Sequence, residues 1–326
     1  QDHHLVYWAN QEYDYMLIKD DEPVTSIEGG LRWVGITSRY FVQALAPSGA
    51  VQPKGLIQPL GENQKRISLV YPVSGQRAEF TVKTYFGPKE VDVLKRVDTS
   101  LDHVVDFGWF TIIAYPLLSI MKWFYGFVHN YGIAIILLTL LLKVVTFPLT
   151  YKSMKSMKQM SKLQPLLQKI KEKHKDDKEA LNREMLSLMR NQGYNPMAGC
   201  FPILIQMPVF FALYKVLYGC VELYQAPFYF WIQDLSAKDP FYITPILLTV
   251  TMFIQQKLTP STSMDPMQQK MIQFMPVIFG LFMLALPSGL TIYMLTNALA
   301  GIVQQLILNK KLDLGNGPAA VPAKAR

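Results

Sequence analysis

A lysine stands inside a long apolar run of this sequence. The stretch IAIILLTLLLKVVTFPLT, Ile133 to Thr150, contains Lys143 and is close to the length of about 20 residues that a helix needs to cross the hydrocarbon of a bilayer. A charged side chain at the centre of such a helix costs about 3 kcal/mol or more, so it is usually kept for a function. The exception is a lysine whose long side chain reaches the membrane surface.

The polar residues around Lys143 form a stripe. They follow each other at intervals of 4, 3 and 4 residues, which places them on one face of a helix: Thr139, Lys143, Thr146 and Thr150. One interpretation is that this face lines a polar site. The other is that Lys143, about 10 Å of helix from the cytoplasmic end near Leu149, extends to the lipid headgroups. This helix alone favours neither interpretation.

Polar side chains also recur on two other apolar segments. Near the end of the chain a face of small and polar residues has intervals of 4, 4 and 3: Tyr293, Asn297, Gly301 and Gln304. Gln206 lies in the middle of another apolar segment. Such residues usually hydrogen-bond helices to each other, yet three segments with polar faces around one lysine predict a hydrated cavity. Water or a partner has to neutralise Lys143, because the predicted spans contain no aspartate or glutamate.

Motifs of catalysis and metal binding are absent from the sequence. The five histidines lack the spacing of zinc ligands, and there is no Walker loop, no G-x-S-x-G and no H-E-x-x-H motif. We therefore predict a protein that is not an enzyme, with no cofactor, no metal ion and no small-molecule substrate.

The composition favours a protein of the membrane. Half of the residues are hydrophobic (50%), only 17% are charged, and the mean hydropathy is +0.15. We predict five spans, of which the third and fourth are short and extend into flanking polar residues: Tyr131 to Leu149, Met197 to Tyr218, Phe241 to Ile254, Phe274 to Leu286, and Leu290 to Leu308.

The N-terminal residues 1–86 are polar enough to be soluble and indicate an antiparallel β-sandwich. The segments RISLVYPV and AEFTVKTYF flank Ser74-Gly75, which predicts a hairpin between them. The chain begins in what resembles the middle of a folded domain, so we expect the natural protein to continue upstream, with a further anchor possible there.

The segment Phe107 to Asn130 allows two interpretations. It is apolar enough to count as another span, but its weakly polar positions recur at intervals of 4, 4, 3, 4 and 3 from Thr111 to His129. Several aromatic residues favour the level of the lipid headgroups. We therefore favour an interfacial amphipathic helix that lies along the membrane.

The charge of one loop predicts the topology. Tyr151 to Arg190 contains more lysine and arginine than aspartate and glutamate, which places this loop in the cytoplasm and the β domain in the periplasm. Two amphipathic runs in the loop, with a charged turn from His174 to Lys178 between them, predict a helical hairpin.

Methionine and lysine alternate where the first span leaves the membrane. Methionine is usually core filling, but beside lysines it provides a flexible apolar surface suited to varied hydrophobic segments. The residues predicted to receive a substrate there are Met154, Met157, Met160, Lys155 and Lys158.

Several long motifs resemble one family. The segments NPMAGCFPILIQMPVFFALY, QAPFYFWIQDLSAKDPFYITPIL, DPMQQKMIQFMPVIF and LPSGLTIYMLTN occur in the order found in the YidC-type membrane protein insertases of bacteria, and the resemblance covers nearly the whole chain. It implies a five-helix core whose hydrophilic groove opens to the cytoplasm and the lipid and is closed on the outer side. It also implies a cytoplasmic helical hairpin and, in Gram-negative members, a large periplasmic β-sandwich preceded by an extra N-terminal span.

The resemblance assigns a role to the lysine and shows one departure. In the family the positive charge of the groove is typically an arginine, four residues after a threonine and five before the Pro-Leu pair that ends the span. Thr139 and Pro148 match this pattern, but the charged position is Lys143. A lysine keeps the charge and loses the planar fork of donors, so it does not fix the geometry of a carboxylate partner.

The sequence therefore predicts a polytopic α-helical membrane protein with an N-terminal β-sandwich and a cytoplasmic helical hairpin. Its expected function is insertion of nascent membrane proteins into the inner membrane without nucleotide hydrolysis, alone or with the ribosome and the Sec translocon as partners. The predicted substrate groove consists of Lys143, Thr139, Thr146, Gln206, Tyr293 and Asn297. The predicted segments are the β domain 1–86, a linker with the interfacial helix 87–130, spans 131–150, 195–222, 241–257, 271–287 and 288–309, the hairpin 151–194, loops 223–240 and 258–270, and the tail 310–326.

Two alternatives come from other functional classes. A small-solute transporter with Lys143 in its substrate site predicts inverted repeats or broken helices, and we find no internal repeat in the sequence. The other alternative is a structural assembly factor of a translocon. It predicts that Lys143→Leu has no effect on insertion. An intramembrane enzyme is disfavoured most, because the predicted spans contain no constellation of acids, bases or metal ligands.

Overall fold

The computed structural model describes residues 4–17, 24–49, 51–61, 64–73, 75, 77–98, 100–174, 177–191, 201–258 and 266–314. Three parts of the predicted segments lie outside these ranges: the tail beyond Leu314, the span residues 195–200 and most of the loop 258–270. The chain divides into two compact units, Gln1–Thr111 with Gly219–Tyr224, and Ile112–Tyr218 with Gln225–Arg326.

The first unit consists mainly of antiparallel sheet, as predicted. Its strands are β1 His4–Ala9, β2 Glu12–Leu17, β3 Thr25–Ile27, β4 Trp33–Thr37, β5 Phe41–Ser48, β6 Lys54–Gly61, β7 Gln64–Val70 and β8 Thr81–Pro88. One sheet has the order β2-β1-β4-β5-β8 and the other β3-β6-β7. Alternate residues of both sheets face a shared core that contains Leu5, Val34 and Ile57.

The predicted hairpin at Ser74-Gly75 is wrong. β7 pairs with β6, through Lys54 opposite Val70, whereas β8 pairs with β5 along its whole length, from Phe41 opposite Pro88 to Ser48 opposite Thr81. The two segments therefore belong to different sheets. Alternating hydrophobicity fixes which face of a strand is buried, but it does not specify the strand's partner.

The helices follow the β unit in sequence. They are α1 Val91–Val97, α2 Thr111–Val128, α3 Tyr131–Lys162, α4 Gln164–Lys173, α5 Lys178–Asn191, α6 Phe201–Gly219, α7 Ile243–Leu258, α8 Pro266–Met283 and α9 Ser288–Leu314. Helices α4 and α5 pack through Leu163, Leu167, Met185 and Leu188. Among the apolar helices, α9 packs against both α3 and α7, and α7 also packs against α8.

Among the residues that the structure describes, three helical segments are long and apolar enough to cross a membrane. They are Gly108–Val128, Tyr131–Gln159 and Ser288–Lys311, while Ile243–Leu258 and Lys270–Met283 are shorter apolar helices. The first of these includes α2, so its length and composition fit a span as well as the predicted interfacial helix. Trp109 and Ile112 are almost fully exposed, and Leu117 and Met121 are buried on another face. The interfacial position of α2 stays a prediction.

Helices α7 and α8 approach each other closely at Gly280. An ideal Cβ atom placed on Gly280 would overlap Oγ1 of Thr249 and would lie 3.2 Å from its Cβ. The Thr249 hydroxyl donates a hydrogen bond to the carbonyl of Pro245 at 2.9 Å, so a rotation of the side chain would break that bond. Glycine is therefore required for this packing.

We predict that Gly280→Ala lowers the free energy of unfolding by about 1–3 kcal/mol, because the added methyl overpacks the contact between α7 and α8. Thermal unfolding in detergent measures the change. Gly126→Ala in α2 is the matched control, since its Cβ would meet nothing within 4 Å. Adding Thr249→Ala should recover part of the loss; equal destabilisation by both glycine variants would contradict the prediction.

Candidate functional site

The amine of Lys143 lies against α9. An ideal Cβ atom on Gly301 would be 3.7 Å from Nζ of Lys143 and 2.7 Å from Nε2 of Gln255, which reaches the same place from α7. The missing side chain of Gly301 thus leaves room for two polar groups from two neighbouring helices. In this structure the lysine is half-buried and directed at a neighbouring helix.

Gln206 and Tyr293 join two further helices. Nε2 of Gln206 on α6 donates a hydrogen bond to the hydroxyl oxygen of Tyr293 on α9 at 3.0 Å. Tyr293 is only 1% exposed, so its hydroxyl depends on a protein partner. The two residues that the sequence analysis placed on separate polar faces are therefore in direct contact.

The threonines of the α3 stripe satisfy their hydroxyl groups within their own helix. Thr139 donates to the carbonyl of Ile135 at 2.7 Å, Thr146 to that of Leu142 at 2.7 Å, and Thr150 to that of Thr146 at 3.1 Å. Thr139 is 1% exposed and Thr146 is partly buried. Each hydroxyl hydrogen is used in a bond to the backbone. The hydroxyl oxygen can still accept a hydrogen bond from another group.

The remaining stripe of α9 follows the predicted face. Asn297 is partly buried one turn after Tyr293, and Gln304 is 9% exposed one turn after Gly301. We name Thr139, Lys143, Gln206, Gln255, Tyr293, Asn297 and Gly301 the polar cluster. Its members belong to four apolar helices: α3, α6, α7 and α9.

Sequence reasoning missed Gln255. It was treated as a polar flank of a short span, yet Thr244, Thr251 and Gln255 follow at intervals of 7 and 4, the spacing of one helical face. Thr244 and Thr251 are both 6% exposed, so this face of α7 is buried. The periodicity was a usable signal for Gln255.

The predicted substrate-receiving residues lie on the extension of α3. Met154 and Met157 are half-buried, Lys155 is exposed, and the side chain of Met160 is outside the part of the chain that the structure describes. Nζ of Lys158 donates to the carbonyl of Asn309 near the end of α9 at 3.3 Å. This bond joins the extension of α3 to the last third of α9.

The loop before α7 contains a buried carboxylate. Asp239 is 2% exposed and its oxygens accept four hydrogen bonds, from the indole of Trp231 at 3.0 Å, the N–H of Phe241 at 3.0 Å, and the N–H and hydroxyl of Thr244 at 2.8 and 2.7 Å. Burial by itself raises the pKa of this carboxyl, but these hydrogen bonds outweigh it and hold the pKa below its usual value.

Comparisons with known proteins agree on one family. The sequence profile described as 60Kd inner membrane protein matches residues 123–315, and the profile described as YidC periplasmic domain matches residues 3–120. The chain is similar to solved structures as well. It resembles a crystal structure described as an active YidC insertase with the first transmembrane domain resolved, with a TM-score of 0.51, 22% identity, and coverage of 93% of this chain and 82% of the other. That likeness concerns the fold.

Curated relatives are more similar in sequence. Proteins described as membrane protein insertase YidC are 45% identical over 284 residues in Geobacter metallireducens and 46% identical over 289 residues in Geotalea daltonii. A relative of the same description in Syntrophus aciditrophicus is 46% identical over 295 residues. These alignments cover 86%, 87% and 89% of this chain and 53%, 54% and 54% of the relatives. The chain therefore spans about half the length of the curated relatives it matches.

We predict that Tyr293→Phe lowers the free energy of unfolding by about 0.6–1.5 kcal/mol, because it removes the acceptor of the Gln206 amide. The same substitution in a Gln206→Leu background should cost less. Thermal unfolding in detergent is measured for the wild type, Tyr293→Phe, Gln206→Leu and the double variant, which completes a double-mutant cycle. An equal loss in both backgrounds would show that the bond between the two residues contributes nothing to stability.

The lowered pKa of Asp239 predicts that the stability of the folded protein falls at acid pH. Since the folded pKa lies below the unfolded value of about 3.9, the stabilisation by the carboxylate is complete above that value and is lost as the pH falls through the folded pKa. We expect the difference in unfolding temperature between the wild type and Asp239→Asn to be constant from pH 7 to about 5 and to shrink below about 4. A difference that stays constant throughout would contradict this.

Proposed function

Because the chain belongs to the 60Kd inner membrane protein family, whose profile covers its residues 123–315, we propose that it inserts membrane proteins into the lipid bilayer. The resemblance found in the sequence motifs is confirmed at the level of the family, which includes curated membrane protein insertases. The alignment covers 53% of one such relative, so the activity of the whole protein is carried over as a proposal. In this proposal the chain is not an enzyme and hydrolyses no nucleotide.

The observation that carries the proposal is the polar cluster on otherwise apolar helices. Lys143, Gln206 and Gln255 hold polar groups at the level where a membrane helix is normally apolar. Such groups lower the cost of moving the polar backbone and side chains of a substrate part of the way through the membrane. The cluster thus supplies a hydrophilic groove for the substrate's outer segment.

Lys143 provides the attraction for that segment. A carboxylate about 4 Å from the amine gains roughly 4 kcal/mol at the effective dielectric constant of about 20 that suits partly buried pairs. Acidic residues of the substrate would therefore be drawn to the amine of Lys143 beside Gly301. The membrane potential can assist the translocation of negative segments toward the outer side.

The apolar part of the substrate would move along the exposed faces of α6 and α8. Leu204, Met207 and Phe211 on α6 are exposed, as are Phe274, Ile278 and Leu281 on α8. Transfer of a substrate helix into lipid gains about 0.8 kcal/mol for each buried methylene group, which drives insertion without nucleotide. The hydrophobic effect is therefore the energy source in this mechanism.

The cytoplasmic side would receive the nascent chain. The extension of α3 with Met154 and Met157, and the paired helices α4 and α5, offer apolar side chains beside lysines. The basic character of this region suits a partner such as ribosomal RNA, and a Sec translocon is the second partner we propose. The periplasmic domain and the apolar helices fit a protein of the bacterial inner membrane with the β unit in the periplasm.

We predict that Lys143→Leu reduces insertion of a single-span reporter with an acidic outer tail by about tenfold or more, whereas Lys143→Arg inserts it nearly as well as the wild type. The assay is protease protection of the reporter in proteoliposomes. A reporter with a neutral tail should be affected less, because the attraction is electrostatic.

Lys83→Leu is the matched control for that experiment. This lysine lies on β8 of the first unit, and its side chain is exposed. The substitution removes the same charge and should leave insertion unchanged. If Lys143→Leu inserts both reporters like the wild type, Lys143 is not the receiver of acidic segments; if the wild type itself inserts none, the proposed function is wrong.

A further inference from the structure

The loop between α6 and α7 binds the beginning of α3. We name residues 225–242 the outer loop, since the predicted topology places them outside. Nδ2 of Asn130 donates to the carbonyl of Phe228 at 3.1 Å, while Oδ1 of Asn130 caps α3 by accepting from the N–H of Ile133 at 3.1 Å. The ring of Phe228 occupies the space where a Cβ atom of Gly132 would be. The loop is thus fitted to the first turn of α3.

The same loop binds the beginning of α9. The N–H and the hydroxyl of Ser288 both donate to the carbonyl of Ala237, at 2.7 and 2.5 Å, and the N–H of Gly289 donates to the carbonyl of Leu235 at 2.9 Å. Lys238 and Pro287 form an antiparallel bridge beside these bonds. The loop therefore satisfies N–H groups at the start of α9 that lack partners within the helix.

Asp239 joins the outer loop to the beginning of α7. Its carboxylate accepts the N–H and hydroxyl of Thr244 in the first turn of that helix, where a negative charge is favoured. The hydroxyl of Thr244 also lies 3.1 Å from that of Thr291 on α9. One buried carboxylate thus fixes the loop, α7 and, through a pair of threonines, α9.

Apolar side chains of the outer loop, α3 and α9 form a layer beside the polar cluster. Leu235 and Ile135 are fully buried, and Leu290 and Ile232 are 1% and 2% exposed. A Cβ atom on Gly289 would lie 3.5 Å from Cδ1 of Ile135 and 3.6 Å from Cβ of Leu235, so α3, α9 and the loop converge there. Thr139 and Tyr293 follow one turn, about 6 Å, further along α3 and α9.

The family resemblance already implies a groove that is closed on the outer side. We propose that Asp239 makes this closure by positioning the outer loop as a permeability seal over the beginnings of α3, α7 and α9. The seal keeps water and ions on the outer side from reaching the polar cluster. This inference depends on the proposed function only in taking the cluster to be hydrated from the cytoplasmic side. A path that was wet at both ends would conduct ions and dissipate the membrane potential.

The outer loop has no helix or sheet of its own to hold it over the ends of α3, α7 and α9; within the described residues, its contacts are those of side chains and single backbone groups. Removing the charge of Asp239 leaves N–H and O–H donors without their charged acceptor, and such bonds are the stronger class. The closed position of the loop should then be populated less.

The test measures passive ion leak through proteoliposomes with an enclosed pH-sensitive dye and an imposed proton gradient. We expect Asp239→Asn to leak about tenfold faster than the wild type, the factor expected for the loss of one charged buried hydrogen bond. Gln233→Ala, an exposed residue of the same loop, is the matched control and should leak like the wild type.

A disulfide provides the rescue. Residues opposite each other in an antiparallel bridge have Cα atoms about 4.5–5.5 Å apart, within reach of a disulfide. Lys238→Cys with Pro287→Cys in the Asp239→Asn protein should restore the slow leak when oxidised and lose it again on reduction. This recovery distinguishes positioning of the loop from general misfolding.

The outcomes separate this inference from the proposed function. A normal leak in Asp239→Asn, or a fast leak that persists with the disulfide formed, would overturn the seal. A leak that rises and is closed by the disulfide supports it. Because the dye assay needs no substrate, it gives this answer even if the reporter assay shows that the wild type does not insert membrane proteins.

Discussion

In the second unit, Ile112–Tyr218 with Gln225–Arg326, one constraint governs the apolar helices: their polar groups must find partners within the protein. Three threonine hydroxyls of α3 donate to carbonyls of their own helix, and the Gln206 amide reaches the hydroxyl of Tyr293 across a helix boundary. These bonds allow polar side chains within the apolar helices without exposing unsatisfied polar groups to lipid. In the proposed function, a substrate would meet the acceptor capacity of these groups and the charge of Lys143.

Helix α9 is the element on which the other parts converge. It packs against α3 and α7, and its two glycines occupy the points of closest approach. Gly301 leaves room for the amine of Lys143 and the amide of Gln255, whereas Gly289 admits the backbone of the outer loop. The same helix thus holds polar groups beside Gly301 and apolar ones beside Gly289, about three turns away. Helix α8 packs against α7 and keeps much of its apolar surface exposed.

Periodicity predicted much of this arrangement. The 3.6-residue pattern located the apolar helices and assigned Lys143, Gln206 and Tyr293 to polar faces, because helical spacing is a local property of the sequence. It did not reveal which faces meet. The partner of β7, the position of Gln255 beside Gly301, and the contacts of Asp239 with two helices depend on segments far apart in the chain. The sequence predicts the outer loop only as a connection between two spans. Its conformation is held by single hydrogen bonds, which leave no repeating pattern in the sequence.

If Lys143 receives substrates as proposed, a lysine suits a site that accepts many of them. Its ammonium is a point charge on a flexible stem, with no planar fork to align with a carboxylate. At an effective dielectric constant of about 20, the attraction of roughly 4 kcal/mol at 4 Å falls only to about 2 kcal/mol at 8 Å, so an acidic residue is attracted before it makes contact. Such a long-range interaction does not fix the register of a substrate. In the proposed mechanism, direction then comes from the two ends of the groove, one open to water and the other closed by the outer loop.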